Sequence, residues 1–248
     1  VHWLAKRFTP GDADRYRFEA KKGQQLVMVA SARELTPYLA DAVPGWFQAT
    51  LALFDANGNE LAFADDYHFR PDPVLFFEVP EDGHFIVEIK DAIYRGRPDF
   101  VYRIAIGELP FVTSIFPLGG RTDAQTIVAL TGWNLPTDEL TIDARNKTPG
   151  VFPISVHEQE RQSNTLPFAV DTLPTCRDKE PNDLQKNAQQ ITLPVTVDGR
   201  IDGPGDWDVF RIEGQAGEQI VAEVMARRLG SPVDSALELT DSDGTRLA

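Results

Sequence analysis

The stretch Gly11-Asp-Ala-Asp-Arg-Tyr-Arg-Phe-Glu-Ala-Lys-Lys-Gly23 decides the fold. It returns as Gly205-Asp-Trp-Asp-Val-Phe-Arg-Ile-Glu-Gly-Gln-Ala-Gly217, 194 positions later. Such self-similarity marks a repeated structural unit. The match continues through Gln25/Gln219, Val27/Val221, Ala32-Arg33/Ala226-Arg227 and Leu35/Leu229. After an eight-residue insertion in the first copy, Leu51-Ala-Leu-Phe-Asp55-Ala-Asn-Gly58 and Leu61-Ala62 meet Leu237-Glu-Leu-Thr-Asp241-Ser-Asp-Gly244 and Leu247-Ala248. Two copies of one domain type therefore flank a different segment. The first copy lacks a counterpart of Cys176 to Pro194, and the second lacks one of Phe63 to Glu108. The sequence accordingly reads as a fragment cut within both outer domains; divergence, each copy having shed a different end, is the alternative.

The first copy predicts strands and turns. Gln25 to Ser31 is rich in β-formers, and Thr50 to Phe54 with Glu60 to Ala64 brackets Asp55-Ala-Asn57-Gly58-Asn59. Asn-Gly supplies the positive φ angles of a tight hairpin. Val74 to Val79 is followed by a Pro80-Glu-Asp82-Gly83 turn and then His84 to Lys90, where Phe85, Val87 and Ile89 share one face. That period of two belongs to a half-buried strand. Phe100 to Ile106 repeats it with Tyr102, Ile104 and Ile106. Only Arg33 to Val43 has room for a short helix, limited by Pro37 and Pro44. The fold class is all-β: antiparallel, jelly-roll-like sandwiches. Between the copies, about 60 residues with several short strands suit a small Ig-like sandwich, and Asp171 to Asn182 reads as a linker.

Composition narrows the function. The 248 residues carry 38 acidic against 24 basic side chains, a net charge of −14. This argues against nucleic-acid binding, which relies on cations displacing counterions from phosphate, and against docking on an anionic membrane. No apolar run approaches the ~20 residues of a membrane span. Cys176 is alone, so an intrachain disulfide and a Cys-rich zinc site are both excluded. Of the four histidines, His157 begins a His157-Glu158-Gln-Glu-Arg161 run that has Arg161 where a zinc-peptidase helix needs its second ligand. It reads as a strand or turn. No Gly-x-Ser-x-Gly elbow, P-loop or dinucleotide fingerprint occurs, and no catalytic residue is assigned.

The repeat, with its Gly-Asp-x-Asp-x-(Tyr/Phe) opening, its Leu-x-Leu-x-Asp-x-x-Gly hairpin, Pro80-Glu-Asp-Gly-His-Phe-Ile-Val87 and Glu180-Pro-Asn-Asp183, resembles the bacterial pre-peptidase C-terminal domain. The middle segment, with Phe116-Pro-x-Gly-Gly120, Leu130-x-Gly-x-Asn-Leu135 and Asn164-x-x-Pro-Phe-x-Val170, resembles an IPT/TIG-type Ig-like domain. The resemblances imply residues 1–108 as one sandwich, 109–172 as the Ig-like domain and 173–248 as a second sandwich. They imply noncatalytic structural or binding modules of a secreted or cell-surface multidomain protein. The partners would be other domains of the same polypeptide and extracellular polysaccharide or protein. The alternative is a carbohydrate- or protein-binding accessory module of a secreted hydrolase or peptidase.

Calcium is the cofactor under consideration. Hard cations take six to eight oxygen ligands, and Asp178, Glu180, Asn182 and Asp183 fall within six residues, followed by Asp202, Asp206 and Asp208. Similarity to the collagen-binding domains of bacterial collagenases selects Glu180, Asn182, Asp183, Asp206 and Asp208 as ligands, with Asp178 and Asp202 as lesser candidates. The competing reading is that these residues cap and turn, the strand aspartates pairing with Arg200 and Arg211. Asp12 and Asp14 match Asp206 and Asp208 but lack the acidic leader; Asp65, Asp66 and Asp72 read as a solvated turn. For ligand binding, Trp46, Phe47 and Tyr67, with Tyr38 nearby, form a candidate aromatic platform. Trp133 and Trp207 are expected in cores.

Overall fold

A computed structural model of the chain describes residues 11–35 and 46–247. The described part of the expected Arg33 to Val43 helix, Arg33 to Leu35, is a turn; the remainder, with Tyr38, lies outside the described residues. The chain divides into two compact units. The first runs through Phe111 and adds Gly132–Pro136 and His157–Ser163; the second holds Val112–Thr131, Thr137–Val156 and Asn164 onward.

In the first unit, strands β1 (Ala13–Ala20), β2 (Gln25–Ser31), β3 (Ala49–Asp55), β4 (Glu60–Ala64), β5 (Val74–Glu78), β6 (Gly83–Asp91) and β7 (Arg103–Gly107) make two sheets. Their orders are β1-β6-β3-β4 and β5-β2-β7, and every pairing is antiparallel. The predicted alternation is realised in β6, where Phe85, Val87 and Ile89 face a core shared with Met28, Leu51, Leu53, Phe100, Tyr102 and Ile104. Burying each such side chain contributes roughly 1.5–3 kcal/mol, which holds the two sheets face to face.

The opposite face of β6 is less solvated than its polar residues indicate. Glu88 is buried and paired: Arg15 donates to it at 2.7 Å and the Lys90 ammonium lies 3.2 Å away. The β3–β4 turn also differs in mechanism from the expected Asn-Gly hairpin. Gly58 has φ +87°, whereas Asn57 is not left-handed. The Asp55 carboxylate closes the loop by accepting the Asn57 and Asn59 amides, both at 2.8 Å.

A buried polar pair crosses the sandwich. The Tyr102 hydroxyl, fully buried, donates to Asp14 at 2.6 Å and meets the Tyr16 hydroxyl. Burial first, then these neighbours, push the Tyr102 phenol far up, so it stays a donor. Tyr102→Phe removes that donor from a buried carboxylate and is expected to cost about 1–3 kcal/mol in chemical denaturation.

The remaining strands are β8 (Phe111–Phe116), β9 (Gly119–Arg121), β10 (Gln125–Trp133), β11 (Glu139–Asp143), β12 (Gly150–Ile154), β13 (His157–Glu158), β14 (Arg161–Gln162), β15 (Leu166–Asp171), β16 (Thr175–Arg177), β17 (Gln189–Gln190), β18 (Thr196–Asp198) and β19 (Phe210–Arg211). Sheets β11-β10-β8 and β12-β15-β9 bury Val112, Val128, Phe168 and Val170. His157 and Arg161 sit on the short β13–β14 hairpin. The pairings β15–β9, β16–β18 and β17–β19 are parallel. The expected linker is therefore partly a strand, since Thr175, Cys176 and Arg177 pair with Thr196, Val197 and Asp198. Local composition missed it because both partners are short and lie about 20 residues apart.

Candidate metal centre

The β16–β18 and β17–β19 pairs bring two acidic segments side by side. The leader Asp178 to Asp183 leaves β16, and Gly199 to Asp208 runs from β18 to β19. Backbone bonds join them at both ends: Asp178 N donates to Asp198 O at 3.1 Å, and Val209 N to Asn182 O at 3.2 Å. The Arg200 amide donates to the Asp178 carboxylate at 3.0 Å.

Between these ties the carboxylates converge. Oxygens of Asp178, Glu180 and Asp208 lie within 4.8 Å of one another, as do those of Glu180, Asp183 and Asp206, so Glu180 belongs to both groups. Asp208 Oδ1 is buried without a hydrogen-bond donor. Burial, then Asp178, Asp206, Glu180 and Asp202 in turn, raise the Asp208 carboxyl to about 6. Gly199 forms a close wall: a Cβ there would stand 2.8 Å from Asp208 Oδ2 and 3.6 Å from Asp178 Oδ2.

The structure thus gathers Glu180, Asp183, Asp206 and Asp208, and adds Asp178 as a full member. Asn182 differs from expectation. It is wholly buried, its Oδ1 accepts from Val209 N at 3.3 Å, and its N–H donates to Glu180 at 3.0 Å. Those bonds make it a strut that fixes the leader against β19. Asp202 is exposed and donates its amide to the Asp206 carboxylate. The cations of the competing reading are engaged elsewhere: the Arg200 guanidinium stacks 4.0 Å over Phe116, and Arg211 donates to Gln185 O. In the first unit, Asp14 is occupied by Tyr102. Asp72 accepts the amides of Ala32, Arg33 and Glu34, holding a turn.

The aromatic platform is dispersed. Phe47 is 3% exposed and stacks on Phe100 at 5.3 Å, so it is a core residue, placed there because β3 begins two positions on and points it inward. Trp46 is half-buried under the Arg33 guanidinium at 4.1 Å. Tyr67 stacks on His68 and meets Phe111 edge-on, its hydroxyl buried. Trp133 lies between Phe76 and Phe111, whereas Trp207 is 62% exposed, contrary to the expected core role. Cys176 is half-buried on β16, and burial chiefly raises its thiol, which disfavours a nucleophilic thiolate. Among the described residues no helix is long and apolar enough to cross a membrane.

No family profile and no curated protein match this sequence. Solved structures similar to this chain include the periplasmic inhibitor of g-type lysozyme PliG from Aeromonas hydrophila, at 15% identity over 43% of this chain and 83% of that one, TM-score 0.32. They also include the pre-peptidase C-terminal domain of collagenase from Bacillus anthracis, at 12% identity over 42% and 87%, TM-score 0.31. PliG of Salmonella Typhimurium is similar at 15% identity over 43% and 85%, TM-score 0.29.

Proposed function

We propose that the chain supplies noncatalytic structural and binding modules of an exported or cell-surface protein, and that calcium bound by Asp178, Glu180, Asp183, Asp206 and Asp208 stiffens the second unit. The supporting observation is that Glu180 belongs to two carboxylate triads, one with Asp178 and Asp208 and one with Asp183 and Asp206, and that the first holds a buried Asp208 oxygen with no donor. Five carboxylates meet the preference of a hard cation for oxygen, and the buried Asp208 oxygen receives no donor from the protein. Asn182 and the Arg200 amide would hold the leader and Asp178 in position. The bound ion would supply charge compensation and a crosslink between the leader and the segment preceding β19, with no part in a reaction.

Calorimetry of the chain in calcium and in chelator tests the reading. Calcium is expected to raise the melting temperature of the second unit and chelator to reverse it; identical melts would end the proposal. Gly199→Ala places a methyl against Asp208 and Asp178, and supporting-shell changes of this kind typically weaken metal binding by ~10–100-fold. Titration calorimetry is expected to show a loss in that range.

A further inference from the structure

The second unit holds a cleft of about 480 Å³ whose walls come from β9, the start of β10, β16 and the end of β18. That volume falls within the ~300–1,000 Å³ of small-ligand sites. None of its lining residues belongs to the carboxylate groups described above.

One wall is a free strand edge. β9 is the last strand of the β12-β15-β9 sheet. Leu118 O takes the Ala169 amide and Thr122 N donates to Asp171 O, both toward β15. Alternate residues of a parallel strand serve one neighbour, so Gly119 turns its N–H and C=O to the opposite edge, with no side chain to cover them. The corresponding Arg121 O is already taken by Ala124 N at 3.3 Å.

The charged groups of the cleft are the guanidiniums of Arg121 and Arg177 and one carboxylate, Asp198, a local positive excess in a chain of net charge −14. Arg121 donates to Asp123 at 2.9 Å, while its Nε is a shielded donor with no acceptor. Native structures rarely leave such a donor unmatched. Arg177 lies with its guanidinium 5.6 Å over the Phe116 ring, an arrangement that occupies its face and spares its N–H edges. Asp198 accepts the Leu118 amide and has lone pairs left for a further donor.

We propose that this cleft binds the C-terminal end of an extended peptide. Its carboxylate would lie at Arg121 and Arg177, its main chain along the Gly119 edge, and one of its N–H groups on Asp198. Guanidiniums meet carboxylates through charge-assisted bonds, and a free edge adds main-chain bonds that any peptide can make. A neutral sugar would leave both guanidiniums unmatched. The inference does not rest on the cation.

The test titrates tri-alanine with a free carboxylate into the full chain, in calcium and in chelator, following amide NMR shifts of residues 119–127 and 175–177. Shifts are expected at Gly119, Arg121 and Arg177, alike in both buffers, so failure here leaves the calcium reading standing. Amidating the peptide carboxylate is expected to weaken binding roughly 10–100-fold, and Arg121→Gln by a similar factor. The melting temperature of Arg121→Gln should match the parent, because the Arg121–Asp123 pair is exposed. Absent shifts at millimolar peptide overturn the proposal, as do equal affinities for the free and amidated peptides. Acetate binding as tightly as tri-alanine overturns it by reducing the site to an anion contact. Glucuronate binding more tightly overturns it by naming a sugar acid as the occupant.

Discussion

Asp91→Ala is expected to destabilise the first unit by about 3–5 kcal/mol, the cost of removing one partner from a buried ion pair. Asp91 is fully buried at the end of β6. It accepts the amides of Gln48, Ile93 and Arg95 and two bonds from the Arg95 guanidinium at 2.8 and 2.9 Å. Arg95 in turn donates to Trp46 O, so one carboxylate fastens the end of β6 to the chain that enters β3. Burial alone would raise this carboxyl, but the bonds from Arg95 and Gln48 outweigh it and hold it below the ordinary value of 3.8. A lowered carboxyl contributes stability above its unfolded pKa and loses it as pH falls through the folded value. The difference between parent and variant should therefore be full at neutral pH and shrink in acid. Thermal melts should show a fall of roughly 10 °C or more. Asp143→Ala is the contrast: its pairing with Arg145 is exposed to solvent, and such pairs contribute little. Equal melts for the parent and Asp91→Ala would contradict the assignment of this clasp.

Asp208→Asn is expected to change stability in opposite directions with and without calcium. With calcium a hundredfold above its dissociation constant, binding stabilises by about 2.7 kcal/mol, and the variant should lose most of that increment with its charged ligand. In chelator the same change relieves repulsion from Asp178, Asp206, Glu180 and Asp202, so the variant should be at least as stable as the parent at pH 7. The pH dependence has a definite sign. The Asp208 carboxyl is raised from 3.8 to about 6, so its contribution is fully present below the unfolded value and is lost as pH rises through about 6. Metal-free parent protein should therefore lose stability between about pH 4 and 6, and the variant should lose less. Calcium reverses the slope, because binding requires ionised carboxylates. A parent that ignores calcium, or a variant that still responds to it, would refute the assignment.

Much of this architecture was legible in the chain. Alternation in His84 to Lys90 forecast that Phe85, Val87 and Ile89 of β6 face the core, since a pleated strand turns successive residues to opposite sides. The Asp55 to Asn59 turn was visible because its bonds lie within five residues. The acidic segments Asp178 to Asp183 and Asp202 to Asp208 marked a candidate oxygen site, because acid-rich segments retain their composition however they fold. The parallel strand β16 was not visible. Its partner is distant and its residues carry no alternation, so nothing local distinguishes it from a linker.

The sequence by itself determined the all-β class, the repeat with its turns, and the acidic residues available to a cation. Each of these depends on short-range chemistry: strand periodicity, left-handed glycines and carboxylates that cap nearby amides. Only the tertiary structure decided that Phe47 packs in the core and Trp207 does not, that Asn182 braces the leader, and that Asp14 is occupied by Tyr102 while Asp208 faces other carboxylates. Those outcomes depend on which distant strands pack over a residue, and burial and charge proximity exist only once the strands are brought together.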